Sequence, residues 1–156
     1  MNAQVHELLT REAVPFEVIE HRDVYTAQER AAAAHISGRL VAKVVVVRDG
    51  EWHAMVVLPA AGRVDLPALR QATGRPGLEL AGETELARLF PDCEVGAMPP
   101  FGRLYGLPVY LDSALADHPE MVFPGGSHHE EVRMPMREYL RIERPIVSLA
   151  VTAHAA

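Results

Sequence analysis

Lysine is all but missing from this chain: of 15 basic residues 14 are arginine, and the exception, Lys43, stands inside an apolar β-branched run. Cysteine is equally scarce. The single Cys93 excludes an internal disulfide, a C-x-x-C pair and a Cys/His zinc pattern, and it fits a reducing compartment. No apolar run is long enough for a signal peptide or a membrane span, and Arg11 and Glu12 interrupt the first segment, so a cytoplasmic location is expected. Positive charge is short too. With 15 basic against 21 acidic residues and a net charge of -6, the chain is not one that coats a long nucleic-acid backbone, although a small contact at a strand's end stays open. G-x-S-x-G, H-E-x-x-H and the Gly-rich phosphate loops of the Walker and Rossmann types are all missing. Asp92 and Glu94 flank Cys93 and disfavour its thiolate, so no side-chain nucleophile announces itself.

What is present suits one domain with a full core, since 156 residues at 49% hydrophobic content bury enough apolar surface without a second domain. The spacing of Val5, Leu8, Leu9 and Ala13 predicts an amphipathic helix over 3–13, ended near Pro15, and 16–19 alternates like a strand. Thr26 and Glu29 form a capping box for an alanine-rich helix running to His35 and closed by Gly38. Two strands, 41–48 and 52–58, flank Asp49 and Gly50, a dipeptide that tolerates positive φ and so predicts a β-hairpin. Asp65 caps a short helix that stops at Gly74; a short strand at 78–80 and a helix over 83–90 follow. Strands are expected at 107–111, 121–123 and 131–134, with a last helix from Pro135 to Ile142. Residues 146–151 read as either a strand or a docked helix.

Three features carry candidate chemistry. Lys43 in a buried strand must reach an edge or meet an anion; a compact ammonium suits a single phosphate or carboxylate, and snorkelling into water is the alternative. The loop 96–102 holds Gly96, Pro99, Pro100 and Gly102, which rules out regular structure. It is either a plain connection or a pre-shaped cradle whose backbone N–H groups approach a ligand. His128, His129, Glu130 and Glu131 form a polar cluster, but neighbouring residues on a strand face opposite ways, so metal binding by both histidines is disfavoured against a solvated turn or a substrate-facing histidine.

The order of these motifs resembles the YbaK/EbsC family: the embedded Lys43, the Asp49-Gly50 hairpin, the helix after Val64-Asp65-Leu66, the loop with Gly96, Pro100, Phe101 and Gly102, and Phe123-Pro124-Gly125-Gly126 before a final strand and helix. Members are free-standing relatives of the editing domain inserted in bacterial prolyl-tRNA synthetases. The resemblance spans about residues 3–142, so 1–142 is expected to be the domain and 143–156 a tail. It implies a single α+β domain with a curled mixed β-sheet flanked by helices, and hydrolysis of mischarged aminoacyl-tRNA without metal or cofactor. By resemblance, Lys43 faces a phosphate near the terminal adenosine, Gly96, Pro100, Phe101 and Gly102 hold the aminoacyl ester, and Gly125 and Gly126 form the turn beside the pocket. His128 or His129 matches a pocket histidine of some relatives, and Met98 and Phe101 would wall a pocket for a small amino acid. Val44 after the lysine and the extra Pro99 depart from the pattern of some relatives. The implied partners are the acceptor 3′ end of an aminoacyl-tRNA and, for recruitment, a synthetase. Arg39, Arg48 and Arg103 are candidates for the acceptor stem. A non-catalytic module that binds a nucleotide or aminoacyl-adenosine is the competing function, and a metal hydrolase built on His128 and His129 is a third.

Overall fold

β-branched residues crowd both arms of the central hairpin, and Asp49 and Gly50 turn the chain between them. In the computed structural model, which describes residues 1–21, 41–149 and 151–153, β2 (Ala42–Asp49) pairs antiparallel with β3 (Trp52–Pro59) from Ala42 opposite Pro59 to Asp49 opposite Trp52. Gly50 takes φ +63°, the left-handed value that such a turn needs. The expected capping box at Thr26, the helix to His35, Gly38 and Arg39 lie outside the described residues.

Around this hairpin a five-stranded mixed sheet is assembled. β4 (Glu79–Leu80) joins the outer edge of β2, β5 (Val109–Asp112) runs parallel to β3, and β8 (Ile146–Ser148) runs parallel to β5, giving the order β4-β2-β3-β5-β8. A second, antiparallel sheet has the order β1-β7-β6, from β1 (Glu17–Glu20), β7 (Glu130–Pro135) and β6 (Glu120–Pro124). A parallel bridge between Val41 and Val122 joins the two. The mixed-sheet α+β domain that the resemblance implies is present, built among the described residues from two ladders joined by this bridge.

The helices cap and bury as their sequences direct. In α1 (Ala3–Arg11) the Asn2 side chain accepts from the N–H groups of Gln4 and Val5, and Val5, Leu8 and Leu9 face inward. In α2 (Leu66–Thr73) Asp65 accepts from Ala68 N–H at 3.0 Å, and Gly74 closes the helix at φ +68°. α3 (Glu83–Leu89) follows β4; a single turn, α4 (Ser113–Ala116), has no clear sequence signal; α5 (Met136–Glu143) buries Met136, Tyr139 and Ile142, with Pro135 just ahead of its first turn.

One core cluster lies on the face of β2 that carries Val44 and Val46, with Leu8, Met98, Phe101, Phe123 and Tyr139. Another covers the opposite face, with Val56, Leu58, Leu69, Leu78 and Val151. Burial on both faces explains the unbroken apolar run of the hairpin, which alternation alone would not produce.

Residues after 143 are held by the same sheet. Beyond β8, the N–H of Asp65 donates to Val151 O at 2.9 Å, and that of Ala153 donates to Arg63 O at 2.7 Å. Val151 is fully buried in the second cluster. Val151→Ala is therefore expected to lower unfolding free energy by about 2 kcal/mol, from two lost methyl groups and the cavity they leave. Urea denaturation measures it; an unchanged midpoint would mean that this segment contributes nothing to the fold.

Candidate active site

Strand alternation divides β2 between two environments. Val44 and Val46 point to the main core, whereas Lys43 and Val45 are half-buried on the other face. β4 joins the outer edge at Val47 and Arg48, and β6 touches it at Val41; residues 43–45 occupy the interval. Two cavities open along that interval. One, of about 420 Å³, is walled by Val44, Val46, Leu86, Gly96, Met98 and His128. The other, of about 370 Å³, is lined by Lys43, Arg63, Val64 and Leu66. Val45 and Leu80 belong to both, so the cavities adjoin across the edge of the strand.

The loop 96–102 is rigid for reasons that differ along its length. Gly96 adopts φ +88°, and its N–H points at the Sδ of Met98, 3.3 Å away. Ala97 N–H donates to Glu94 O, and Glu94 N–H donates to Gly126 O, which ties the loop's base to the turn at 125–126. Pro100 is buried, and its carbonyl accepts the Tyr139 hydroxyl at 2.7 Å. That bond gives the phenol a buried partner, and burial holds its pKa well above the usual value. Phe101 sits wholly inside the core with ring centroids 5.4 Å from both Phe123 and Tyr139. It lines neither cavity, so of the two expected pocket walls only Met98 reaches the opening. Gly102 starts a tight turn, Gly102–Leu104, behind the loop. A Cβ there would come within 2.3 Å of Leu107 O, so its smallness serves packing.

Past Gly102 the chain meets Glu143. The N–H of Arg103 donates to its Oε1 at 3.0 Å, and a guanidinium nitrogen of Arg103 donates to Ile142 O at 2.8 Å. Burial pushes the Glu143 carboxyl up from 4.5 to about 7, against the lowering influence of the Arg103 N–H and guanidinium. The folded chain thus binds this proton more tightly than the unfolded one. The contribution to stability is fully present below the unfolded pKa and is lost as pH rises from about 4.5 to about 7. Glu143→Gln, which keeps the acceptor for Arg103 N–H, is expected to flatten the decline of the urea midpoint across that window; an unaltered slope would place the decline on another group.

The two histidines part company in the turn ahead of β7 rather than on a strand. His128 is buried: its Nε2 donates to Val95 O at 2.8 Å, its N–H lies 3.4 Å from a Glu94 oxygen, and its ring faces Gly96. A carbonyl can only accept, so the proton resides on Nε2. His129 is exposed and lines a separate cavity of about 230 Å³ with Met1, Asn2, Gly125 and Gly126. Gly126 takes φ +107° and abuts Asn2, whose N–H donates to Gly125 O. Gly125 and Gly126 thus carry His128 on one side and anchor the start of α1 on the other. Among the described residues, no three His, Cys, Asp or Glu side chains converge as a metal site would require.

Other polar candidates lie off the site. Cys93 is pushed up to about 11, chiefly by burial and further by the charge of Asp92, which keeps it a thiol at neutral pH. The sequence had pointed to its acidic neighbours, but burial is the larger cause. Arg48 is taken up by Glu79 at 2.9 Å and Glu85 at 3.4 Å, and Arg103 belongs to the Glu143 end of the loop. Arg63, at the cavity of Lys43, has only its position before the Asp65 cap to mark it in the sequence, which says nothing of where the side chain goes.

The sequence model of the aminoacyl-tRNA editing domain matches residues 21–142. The chain belongs to that family. This makes it an aminoacyl-tRNA editing (deacylase) domain, with an aminoacyl-tRNA as the molecule it handles. Solved structures agree on the editing-domain fold. The hypothetical protein APE2540 is 21% identical with TM-score 0.86, covering 96% of this chain and 99% of that one. A scaffold protein from work on epitope backbone grafting by computational design is 24% identical with TM-score 0.85, over 98% and 97% of the two chains. A protein provisionally described as a trans-editing enzyme for prolyl tRNA synthetase is 26% identical with TM-score 0.84, over 97% and 96%. Comparison with curated proteins gives no match. No described helix of this editing domain is long and apolar enough to cross a membrane.

Proposed function

We propose that this editing domain hydrolyses the ester of a tRNA mischarged with a small amino acid of the alanine, serine, threonine or cysteine class, acting in trans with water as the nucleophile. The observation that carries the reading is the pair of adjoining cavities: a cation on one side of the β2 edge, and a largely apolar recess lined by Gly96 and a buried histidine on the other. The relative described as a trans-editing enzyme for prolyl tRNA synthetase supports action on tRNA outside the synthetase.

In this mechanism Lys43 holds a phosphate near the terminal adenosine, and the aminoacyl group enters the recess walled by Val44, Val46, Leu86 and Met98. Water attacks the ester carbonyl. The negative charge that develops on its oxygen meets the Gly96 N–H, whose contact with the Met98 thioether, a weak acceptor, yields readily to an oxyanion. The bond to the ribose oxygen breaks, that oxygen recovers a proton by way of the neighbouring ribose hydroxyl, and free amino acid leaves. His128 keeps Gly96 in place through Val95. Pro100, Phe101 and Gly102 shape the loop from behind, and Gly125, Gly126 and His129 support the turn that carries His128. Selection is by size, worth about 1–3 kcal/mol per methylene, so a correct but larger amino acid is left intact.

The test is deacylation of tRNAs charged with alanine, serine, threonine, cysteine and proline. Cleavage of at least one small mischarged ester, with correctly matched prolyl-tRNA spared, is the expected result. No cleavage of any ester, with Lys43-dependent binding of an aminoacyl-adenosine analogue, would replace this reading with a binding module.

A further inference from the structure

The cavity that contains Lys43 has a second cation. Arg63 lines it together with Val45, Val64, Leu66 and Leu80, and among the described residues no carboxylate contributes to the lining. The residue is exposed, and among the described residues its guanidinium makes no ion pair or side-chain hydrogen bond, unlike Arg48, Arg75, Arg133 and Arg141. Its backbone, by contrast, is fixed. Arg63 O accepts the N–H of Ala153, Val64 bridges to Thr152, and Asp65 caps α2 while donating its N–H to Val151 O. Close packing adds to this: a Cβ on Gly62 would come 2.9 Å from Thr152 Cγ2. A long cationic side chain is thus carried on a fixed backbone at the mouth of the Lys43 cavity, braced by residues 151–153, which lie beyond the span of the family match.

We infer that Arg63 is the second half of a phosphate clamp whose first half is Lys43, and that a phosphodiester of the substrate's single-stranded 3′ end sits between the two. This rests on the editing reading above and extends it to a residue with a different task. The ammonium supplies a point charge, whereas the guanidinium supplies a planar fork suited to two phosphate oxygens. A carboxylate ligand would be drawn to the same cations. A nucleic-acid strand carries its charge along a line, however, and the edge of β2 between the two cavities offers a track from the clamp to the ester recess.

The experiment measures deacylation kinetics and their salt dependence for Arg63→Ala and Arg63→Lys, for Lys43→Ala, for the Lys43→Ala/Arg63→Ala pair, and for Arg11→Ala, an exposed charge on α1 as the control. Thermal melts establish that each variant is folded. Arg63→Ala is expected to raise KM by about 10- to 150-fold, as loss of one charge-assisted phosphate contact does, with the loss falling on KM rather than kcat. The dependence of log(kcat/KM) on log salt should become shallower by about 0.7–1. Arg63→Lys should recover most of the KM. In the Lys43→Ala background, Arg63→Ala should cost less than it does alone, because the two groups share one phosphate. Arg63→Ala that matches Arg11→Ala in KM and salt slope would overturn the clamp, as would full additivity with Lys43→Ala. Should the unaltered protein cleave no ester, the editing reading fails on its own, and equilibrium binding of a short single-stranded RNA with the tRNA acceptor sequence decides the clamp separately. Weakening by Arg63→Ala would uphold it, and no binding by the unaltered protein would overturn it.

Discussion

Lys43→Ala is expected to lower kcat/KM for ester hydrolysis by about 10²–10³-fold while changing stability by less than about 1 kcal/mol. The two numbers have different origins. Lys43 is half-buried at the open end of the hairpin, opposite Leu58, and its ladder with β3 is made by backbone groups that alanine retains. The fold keeps these backbone bonds. The substrate loses more: a charge-assisted contact to phosphate contributes about 1.5–3 kcal/mol, and its removal also frees the terminal nucleotide to shift. A displacement of about 1 Å at the reacting carbonyl costs on the order of 10²-fold by itself. Lys43→Arg should not restore the rate, because a planar fork on a longer reach cannot occupy the place of a compact ammonium. Single-turnover deacylation alongside urea denaturation separates the terms. A variant that is folded and as active as the unaltered protein would remove the proposed anchor and, with it, the assignment of the Lys43 cavity to the substrate phosphate.

The sequence revealed the hairpin, the α2 cap at Asp65 and the stop at Gly74 because each depends on local chemistry: a turn dipeptide, a side-chain acceptor and a left-handed residue within a few positions of one another. The single turn of α4 and the division into two ladders were not legible, since four residues carry no period and the bridge from Val41 to Val122 joins positions far apart in the chain. The candidate site shows the same split. Lys43 and Gly96 stand out by rarity and by backbone demand. Choosing between His128 and His129 needs the turn geometry that buries one against Val95 and exposes the other beside Asn2. Phe101 looks like a pocket wall because it is aromatic and lies in the loop, yet two rings from β6 and α5 claim it for the core. Arg63 was silent because its partner in the cavity lies twenty positions away and its brace comes from residues 151–153.

The two glycines that frame the loop should fail in opposite ways when given a methyl group. At Gly102 a Cβ would lie 2.3 Å from Leu107 O and 2.7 Å from Val109 Cγ2, and the first of these is backbone leading into β5. Nothing flexible can yield. Gly102→Ala is therefore expected to cost more than about 3 kcal/mol, with the protein largely insoluble or melting far below the unaltered chain. Gly96 presents the reverse case. The nearest atom to its Cβ would be His128 Cε1 at an ordinary 3.5 Å, so space is available, but φ +88° strains an alanine by about 1–2 kcal/mol. Relief of that strain rotates the peptide whose N–H is proposed to meet the oxyanion, and loss of one such donor costs about 10²–10³-fold in kcat. Gly96→Ala should thus remain folded and lose turnover, whereas Gly102→Ala should lose the fold; thermal melts and deacylation rates on the same preparations report both. A Gly96→Ala protein with unaltered kcat would move the oxyanion donor elsewhere in the loop. A Gly102→Ala protein with an unaltered melt would show that the entry to β5 gives way more easily than its close packing implies.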